Sequence, residues 1–194
     1  AAQFCAVTAV YSLSLASSVR VEEQAHSSAQ TALVILSANL PAVLGSLESG
    51  PVVDRLGRVP VQATSDLGQA LVALAFWGAT VSVSPEWMLP ALMAPNAALA
   101  LLSQFAITAQ MALLPDVAGR VHLMPPKSLP HLSTLAAEGL GILVLSPVLI
   151  KLAGAPAVGL AAAGLCFLAL ALVLTLPRQK ARPARDAASP GTDW

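Results

Sequence analysis

One short segment indicates the architecture of this chain: Gly50-Pro51-Val52-Val53-Asp54-Arg55-Leu56-Gly57-Arg58. Three of its residues are charged and two are glycines, whereas the sequence on either side is almost continuously apolar. A helix needs roughly 20 apolar residues to cross about 30 Å of hydrocarbon, and both flanking stretches reach about that length. The segment therefore predicts a turn at the membrane surface between two spanning helices.

Composition supports a membrane protein. Of the 194 residues, 56% are hydrophobic and only 10% are charged. A soluble domain of this length would need far more charge to cover its surface. A soluble helical protein with a large core is the alternative, and it would require helices with a continuous polar face. The third, fourth and sixth apolar stretches have no such face, and the formal net charge of zero gives no reason to expect a nucleic-acid partner.

Six apolar stretches follow one another along the chain, at residues 1–19, 29–47, 61–83, 87–114, 131–153 and 156–176. They predict an all-α bundle of six transmembrane helices over residues 1–176. Residues 48–58 are expected to form a loop, and residues 116–130 the longest polar connection. Prolines inside the stretches are tolerated, because neighbouring helices can satisfy the freed carbonyls. Residues 177–194 hold too little apolar content to fold alone and are expected to be a basic, disordered cytoplasmic tail.

Basic residues are distributed unequally between the two sides of the predicted bundle. The even-numbered connections and the tail hold Arg55, Arg58, Arg120, Lys127, Arg178, Lys180, Arg182 and Arg185. The other side holds only Arg20 and Lys151. Because Lys and Arg are retained on the cytoplasmic side, both termini and the Asp54 turn are expected in the cytoplasm. A bacterial inner membrane is the favoured location, with an organelle membrane as the alternative.

The spacing Gly50-x-x-x-Asp54-Arg55-x-Gly57-Arg58, between the second and third predicted helices, resembles the signature of the major facilitator superfamily. The likeness extends to Ala112-Leu113-Leu114-Pro115-Asp116 at the end of the fourth stretch and to Leu145-Ser146-Pro147 in the fifth. Together these passages are similar to the N-terminal six-helix half of the drug and siderophore exporter branch. The resemblance covers nearly all of the chain apart from the tail.

The resemblance implies a role for Gly50, Asp54, Arg55, Gly57 and Arg58 as a conformational latch between two six-helix halves. Physical reasoning about the same residues expects Gly50 to permit close helix approach and Gly57 to adopt a strained turn conformation. Asp54 is expected near the N-terminus of the next helix, where free amide groups favour a carboxylate. Any short cytoplasmic hairpin could also use glycine and arginine in this way.

Three acids in or at the ends of the predicted spans, Glu48, Asp66 and Glu138, are candidate functional residues, because ionisable groups in a membrane are costly. The Glu48 side chain is expected to reach the membrane interface. Glu138 is a candidate for proton coupling or cation recognition at a central cavity; a structural carboxyl at a helix interface, near Ser133 or Thr134, is the alternative. Asp66 matches a position at which the exporter branch often has aspartate. A structural bond to the region of Arg55 or Arg58 is favoured for it over contact with a substrate.

Other reactive residue types give no recognisable site. His26, His122 and His131 are scattered over different connections, and Cys5 and Cys166 are expected to be inert thiols. Gly139, Gly141, Gly154, Gly159 and Gly164 are expected to let helices approach closely. We therefore expect no metal, no cofactor and no catalytic activity.

The sequence is compatible with two functions. The resemblance implies a transporter that exports a small solute by proton-coupled alternating access. That activity would require a second six-helix half, either a second copy of this chain or a separate chain. The alternative is a non-transporting accessory or scaffold subunit of a larger membrane complex. It is favoured by Val59 and the Gln110-Met111 pair, which stand where the family commonly has basic residues.

Overall fold

A computed structural model describes residues 2–25, 28–117 and 128–175, and these residues are almost entirely helical. In chain order the elements are α1 (Ala2–Ala25), α2 (Ser28–Leu56), α3 (Arg58–Ser82), a 3₁₀ turn (Pro85–Trp87), α4 (Met88–Val117), α5 (Ser128–Gly139), a π-helical segment (Leu140–Leu145), α6 (Ser146–Ala153) and α7 (Ala155–Leu174). Helix α5, the π-helical segment and α6 follow one another without a break. The predicted tail, residues 177–194, lies outside the described residues.

Within the residues that the structure describes, five helical bodies are long and apolar enough to cross a membrane. They are Ala2–Glu23, Ser28–Leu56, Met88–Leu113, Leu132–Ala153 and Ala155–Leu174. Helix α3 is not among them, although it has 25 residues. Its apolar content is lowered by Gln62, Asp66 and Gln69, which are all buried within the bundle. The all-helical class and five candidate spans are thus confirmed, and a sixth crossing by α3 stays a prediction.

Apolar side chains cover much of the outer surface of the bundle. On α2 alone, the exposed large apolar residues are Leu33, Ile35, Leu36, Leu40, Val43, Leu44, Leu47 and Leu56. Only 11% of the spanning window of α2 is buried, against 50% of that of α1. A water-soluble protein rarely exposes so large a contiguous apolar patch, whereas lipid accepts it. This surface agrees with an integral membrane protein.

The interior lies around α1, α3, α4 and α7. Helix α3 packs between α4 and α7, α1 packs along α7, and α2 packs along α4 on the other side. The central cluster includes Leu13, Phe76, Leu92 and Val158, all at most 1% exposed. Helix α7 is apolar on every side, so its periodicity does not indicate which face packs inward. The arrangement is therefore set by helix packing rather than by amphipathic faces.

The junction between α2 and α3 is tighter than the predicted loop. Helix α2 continues to Leu56, through Pro51, and α3 begins at Arg58, so Gly57 alone leaves the helical conformation. Its φ of 89° and ψ of 151° lie in a region that residues with a Cβ rarely adopt. The Gly57 amide donates to the Val53 carbonyl at 3.0 Å, which closes α2. The loop predicted over residues 48–58 is wrong, and the glycine conformation predicted at its end is confirmed.

The other boundaries differ by a few residues from the predicted ones. Helix α1 continues through Arg20 to Ala25, six residues beyond the end of the first predicted stretch at residue 19. Arg20 and Glu23 lie one turn apart on that helix and form an ion pair, with 3.7 Å between nitrogen and oxygen. Helices α2 and α4 continue through their internal prolines, as predicted.

Only some of the glycines serve the predicted close approach of helices. A Cβ at Gly141 would lie 2.7 Å from the Thr8 carbonyl oxygen of α1, and one at Gly159 would lie 3.0 Å from the Trp77 Cβ of α3. Nothing lies within 4 Å of a Cβ at Gly139 or Gly164, so the prediction is wrong there. Gly154 instead forms the break between α6 and α7, with φ 80°.

Hydroxyl groups bind the π-helical segment to α1. The Thr8 hydroxyl donates to the Ala137 carbonyl at 3.1 Å. The Ser12 hydroxyl is shared between the Thr8 carbonyl of its own helix, at 2.7 Å, and the Gly141 carbonyl, at 3.2 Å. In return, the Ser146 hydroxyl donates to the Ser12 carbonyl at 3.2 Å. A π-helical turn disturbs the regular i→i+4 bonding, and such turns are frequent at functional sites. Here side chains of the neighbouring helix supply part of the bonding around it.

Candidate functional site

The proposed latch residues surround the α2–α3 junction. Asp54 and Arg55 are exposed in the last turn of α2, and Arg58 is the first residue of α3. Gly57, not Asp54, occupies the position that caps α3, and as a glycine it has no side chain to bond to the first amides of that helix. Asp54 lies three residues before this cap, in the last turn of α2, and its favourable interaction with the start of α3 stays a prediction. A Cβ at Gly50 would meet nothing within 4 Å, so close approach within this bundle does not explain that glycine.

Asp66 is completely buried, at 0% exposure, and its partner lies on its own helix. The Gln62 Nε2 donates to the two carboxylate oxygens at 3.1 and 3.3 Å. The predicted bond between Asp66 and the region of Arg55 or Arg58 is therefore wrong. The spacing of four residues places Gln62 and Asp66 on one face of α3, one turn apart, where they interact directly.

Glu138 lies on α5 and is half-buried. It is close enough to α1 to act electrostatically on Tyr11. Thr134, one turn before it, lines a cavity, but Glu138 itself is not among the lining residues. The structure thus places Glu138 at the α1–α5 interface, beside the cavity rather than in its wall.

The cavity has a volume of about 210 Å³ and lies between α1, α2, α3 and α4, with α5 at one side. Among the described residues, its lining carries no charged side chain but many polar ones. The amide side chains are Gln3, Asn39, Gln62, Gln69, Asn96 and Gln104; the hydroxyl side chains are Tyr11, Ser14, Ser103 and Thr134. The remaining lining residues are alanines, valines and one isoleucine. Small-molecule sites are usually mostly apolar with a few placed polar groups, so this lining is more polar than that pattern.

Several lining amides have buried atoms without a hydrogen-bond partner. They include both amide atoms of Gln69, the Oε1 of Gln62 and the Oε1 of Gln3. Other amides are used structurally: the Asn96 Nδ2 donates to the Val34 carbonyl at 3.0 Å. Buried amide groups are nearly always paired in folded proteins, but these atoms have almost no accessible surface and are closed to a molecule in the cavity. Hydrogen bonding to a polar molecule would depend on the other amides and the hydroxyls of the lining.

Sequence reasoning missed this cavity. The available signal was Gln62 and Gln69, two amides spaced seven residues apart within an apolar stretch. That spacing corresponds to two helical turns and places both side chains on one face. Only ionisable residues were considered as candidates within the predicted spans, so these two uncharged side chains were omitted.

Thiols and histidines add no further site to the described part of the chain. Cys166 is buried, Cys5 is half-buried, and both are free. Within the residues that the structure describes, no group of three or more His, Cys, Asp or Glu side chains could hold a metal ion. His26 and His122 lie outside the described residues.

Comparisons with known proteins give one family. No curated protein and no solved structure matches this chain significantly. The family model described as Major Facilitator Superfamily matches residues 1–193. This is a family of membrane transporters rather than enzymes, in agreement with the apolar surface of the helical bundle. The chain belongs to the major facilitator superfamily.

Proposed function

We propose that this chain forms one six-helix half of a transporter of the exporter branch, which moves a small solute out of the cell by alternating access. The observation that carries the proposal is the cavity of about 210 Å³, lined by amides and hydroxyls inside an otherwise apolar bundle. Polar groups within a membrane are costly, and they mark the path of a substrate or ion. A bundle that served only as a scaffold would have no use for such a cavity.

Alternating access requires a second six-helix half, supplied by a second copy or a separate chain. The exposed apolar side chains of α2 and α5 offer surfaces that lipid or such a half would cover. In this arrangement Gly50, Asp54, Arg55, Gly57 and Arg58 act as the latch, and Asp54 and Arg55 are exposed and free to meet another body. With both termini in the cytoplasm of a bacterial cell, the latch faces the cytoplasm.

The size and composition of the detergent-solubilised particle test this assembly. A particle that contains two copies of the chain, or one copy and one partner of similar size, agrees with a transporter. Co-purification with many unrelated membrane subunits would contradict it and would favour an accessory subunit. Light scattering combined with mass spectrometry of the purified particle measures both properties.

Glu138 is our candidate for coupling transport to protons. It is half-buried at the α1–α5 interface, where rearrangement of the helices would change its access to water. We expect Glu138→Gln to abolish solute-dependent proton movement into proteoliposomes that hold a pH-sensitive dye. Glu86→Gln is the control, because Glu86 is exposed at the opposite end of α3 from the latch. Unchanged proton movement in Glu138→Gln would remove the coupling role from this residue.

A further inference from the structure

We propose that the second six-helix half is a second copy of this chain, and that Lys151 of each copy docks into a groove beside Glu22 of the other. The inference names the partner of the proposed transporter, and it rests on that function only for the need of a second half. The groove lies between α1 and α2 near their outer ends and has a volume of about 440 Å³. We call it the outer groove; its lining residues are Ser18, Val19, Glu22, Ser28, Thr31, Ala32 and Ile35.

Glu22 gives the outer groove its charge. Its side chain is exposed, and its Oε2 accepts a hydrogen bond from the Thr31 hydroxyl at 2.6 Å. This bond holds the carboxylate on the side of α1 that faces α2. A carboxylate has about four lone-pair sites, so the bond from Thr31 leaves room for a cation. The groove therefore combines a negative charge with the apolar side chains of Val19, Ala32 and Ile35.

Lys151 has the complementary properties. It is exposed in the last turn of α6, and within the described ranges no carboxylate lies at ion-pair distance from it. The other basic residue on this side of the predicted bundle, Arg20, already pairs with Glu23. A lysine lays its apolar stem along an apolar surface while its ammonium group meets a carboxylate. The outer groove of another copy offers both of these surfaces.

Glu22 and Lys151 lie at the same height in the bundle. The hydroxyl bonds of Thr8 and Ser12 to the continuous body of α5, the π-helical segment and α6 both span 129 positions, so α1 runs parallel to this α5–α6 body. Carried along both helices, this offset sets position 22 level with position 151 to within roughly one helical turn. Two copies with the same membrane orientation are related by an axis along the membrane normal, which preserves height. The partner's Lys151 therefore comes level with Glu22.

Burial and charge decide which helices of the two copies meet. The α2 span and the span Leu132–Ala153 are the least buried of the five candidate spans in the described residues, with 11% and 17% of their windows buried, and both pack against α1. Pairing α2 with its own copy would bring two Glu22 carboxylates together, and pairing the α5–α6 bodies would bring two Lys151 side chains together. Pairing α2 with the partner's α5–α6 body joins opposite charges twice and covers both apolar faces.

Lipid is the competing cover for these faces. Lipid tails cover apolar side chains equally well, and a lipid phosphate would attract Lys151 as an isolated anchor. With lipid as the cover, the effects of substituting Glu22 and Lys151 would be independent of each other. A contact between copies couples the two residues, so reversing both charges restores what either reversal alone removes.

The experiment measures self-association of the full chain in liposomes. Copies labelled at the C-terminus with a donor or an acceptor fluorophore are reconstituted together, and energy transfer is followed while lipid is added. We expect energy transfer between original copies that falls on dilution with lipid. Glu22→Lys or Lys151→Glu alone should weaken self-association about fivefold, because each dimer holds two such pairs. The combined variant should return to within about twofold of the original protein.

Two further variants control for structure and for location. Glu22→Gln keeps an acceptor for the Thr31 hydroxyl and removes the charge, so it should weaken self-association without lowering the thermal unfolding temperature. Glu86→Lys is the matched charge reversal, because Glu86 is exposed at the same end of the bundle but lies between α3 and α4. This variant should self-associate like the original protein.

Three results would overturn the proposal. Absence of energy transfer between original copies would leave lipid or a different chain as the cover of α2. Single reversals without effect would remove the ion pair from the interface. A combined variant as weak as the single reversals would show that Glu22 and Lys151 do not meet each other.

The homodimer and the transporter can fail separately. If copies associate through these ion pairs but no solute-dependent proton movement occurs, the interface stands and the transporter proposal falls. If solute moves through a particle made of this chain and one different chain, the transporter stands and the homodimer is refuted.

Discussion

At the scale of single residues, the most informative position is Asp66. It is fully buried, and Gln62 is its hydrogen-bond partner. A carboxylate in such a place loses its hydration, and one amide donor replaces only part of it. Burial of this pair therefore lowers the stability of the fold, which is consistent with a role in orienting the Gln62 amide at the cavity.

Substitution of Asp66 separates its charge from its hydrogen bond. Asp66→Asn keeps an acceptor for the Gln62 Nε2 and removes the buried charge, so stability should be unchanged or higher. Asp66→Ala leaves that donor buried without a partner, which should cost about 1–3 kcal/mol. Tryptophan fluorescence during thermal unfolding in mild detergent measures both. If Asn destabilises the protein as much as Ala does, the charge itself stabilises the fold.

At the scale of elements, the closest approach at any described glycine is that of the π-helical segment to α1, at Gly141. Gly141 lies against the backbone of Thr8, and the hydroxyl of Ser12 bonds to the Gly141 carbonyl. Backbone cannot move aside as the end of a flexible side chain can. The position of α5 against α1, and with it the place of Glu138, depends on this glycine.

Two glycines of the same helical body provide a matched test. Gly141→Ala would bring a Cβ to 2.7 Å from the Thr8 carbonyl oxygen, so we expect a loss of about 1–3 kcal/mol. Gly139→Ala meets nothing within 4 Å and should be neutral or stabilising by roughly 0.5–1 kcal/mol, because alanine favours helix over glycine. Thermal unfolding of both variants gives the comparison. Equal effects would mean that the α1 contact is loose enough to absorb a methyl group.

At the scale of the whole molecule, the unequal distribution of basic residues predicts orientation. Asp54 and Glu86 are both exposed and lie beyond opposite ends of α3. In a protein with Cys5→Ala and Cys166→Ala, a cysteine at Asp54 should react with a membrane-impermeant maleimide only from the cytoplasmic side. A cysteine at Glu86 should react only from the outside. Labelling of a cysteine at position 54 in intact cells would contradict the predicted topology. Helix α3 would then not run outward from the cytoplasm.

The sequence by itself determined the helical membrane class, the family, most helix boundaries to within a few residues and the conformational demand at Gly57. These properties are local, because the length of an apolar run and the absence of a Cβ act along the chain. Only the tertiary structure decided that Asp66 bonds to Gln62, that Gly141 and not Gly139 touches α1, and that Gln62 and Gln69 meet α1, α2 and α4 around one cavity. Those contacts depend on how each helix is rotated against its neighbours, and helices that are apolar on nearly every side give no periodic signal of that rotation.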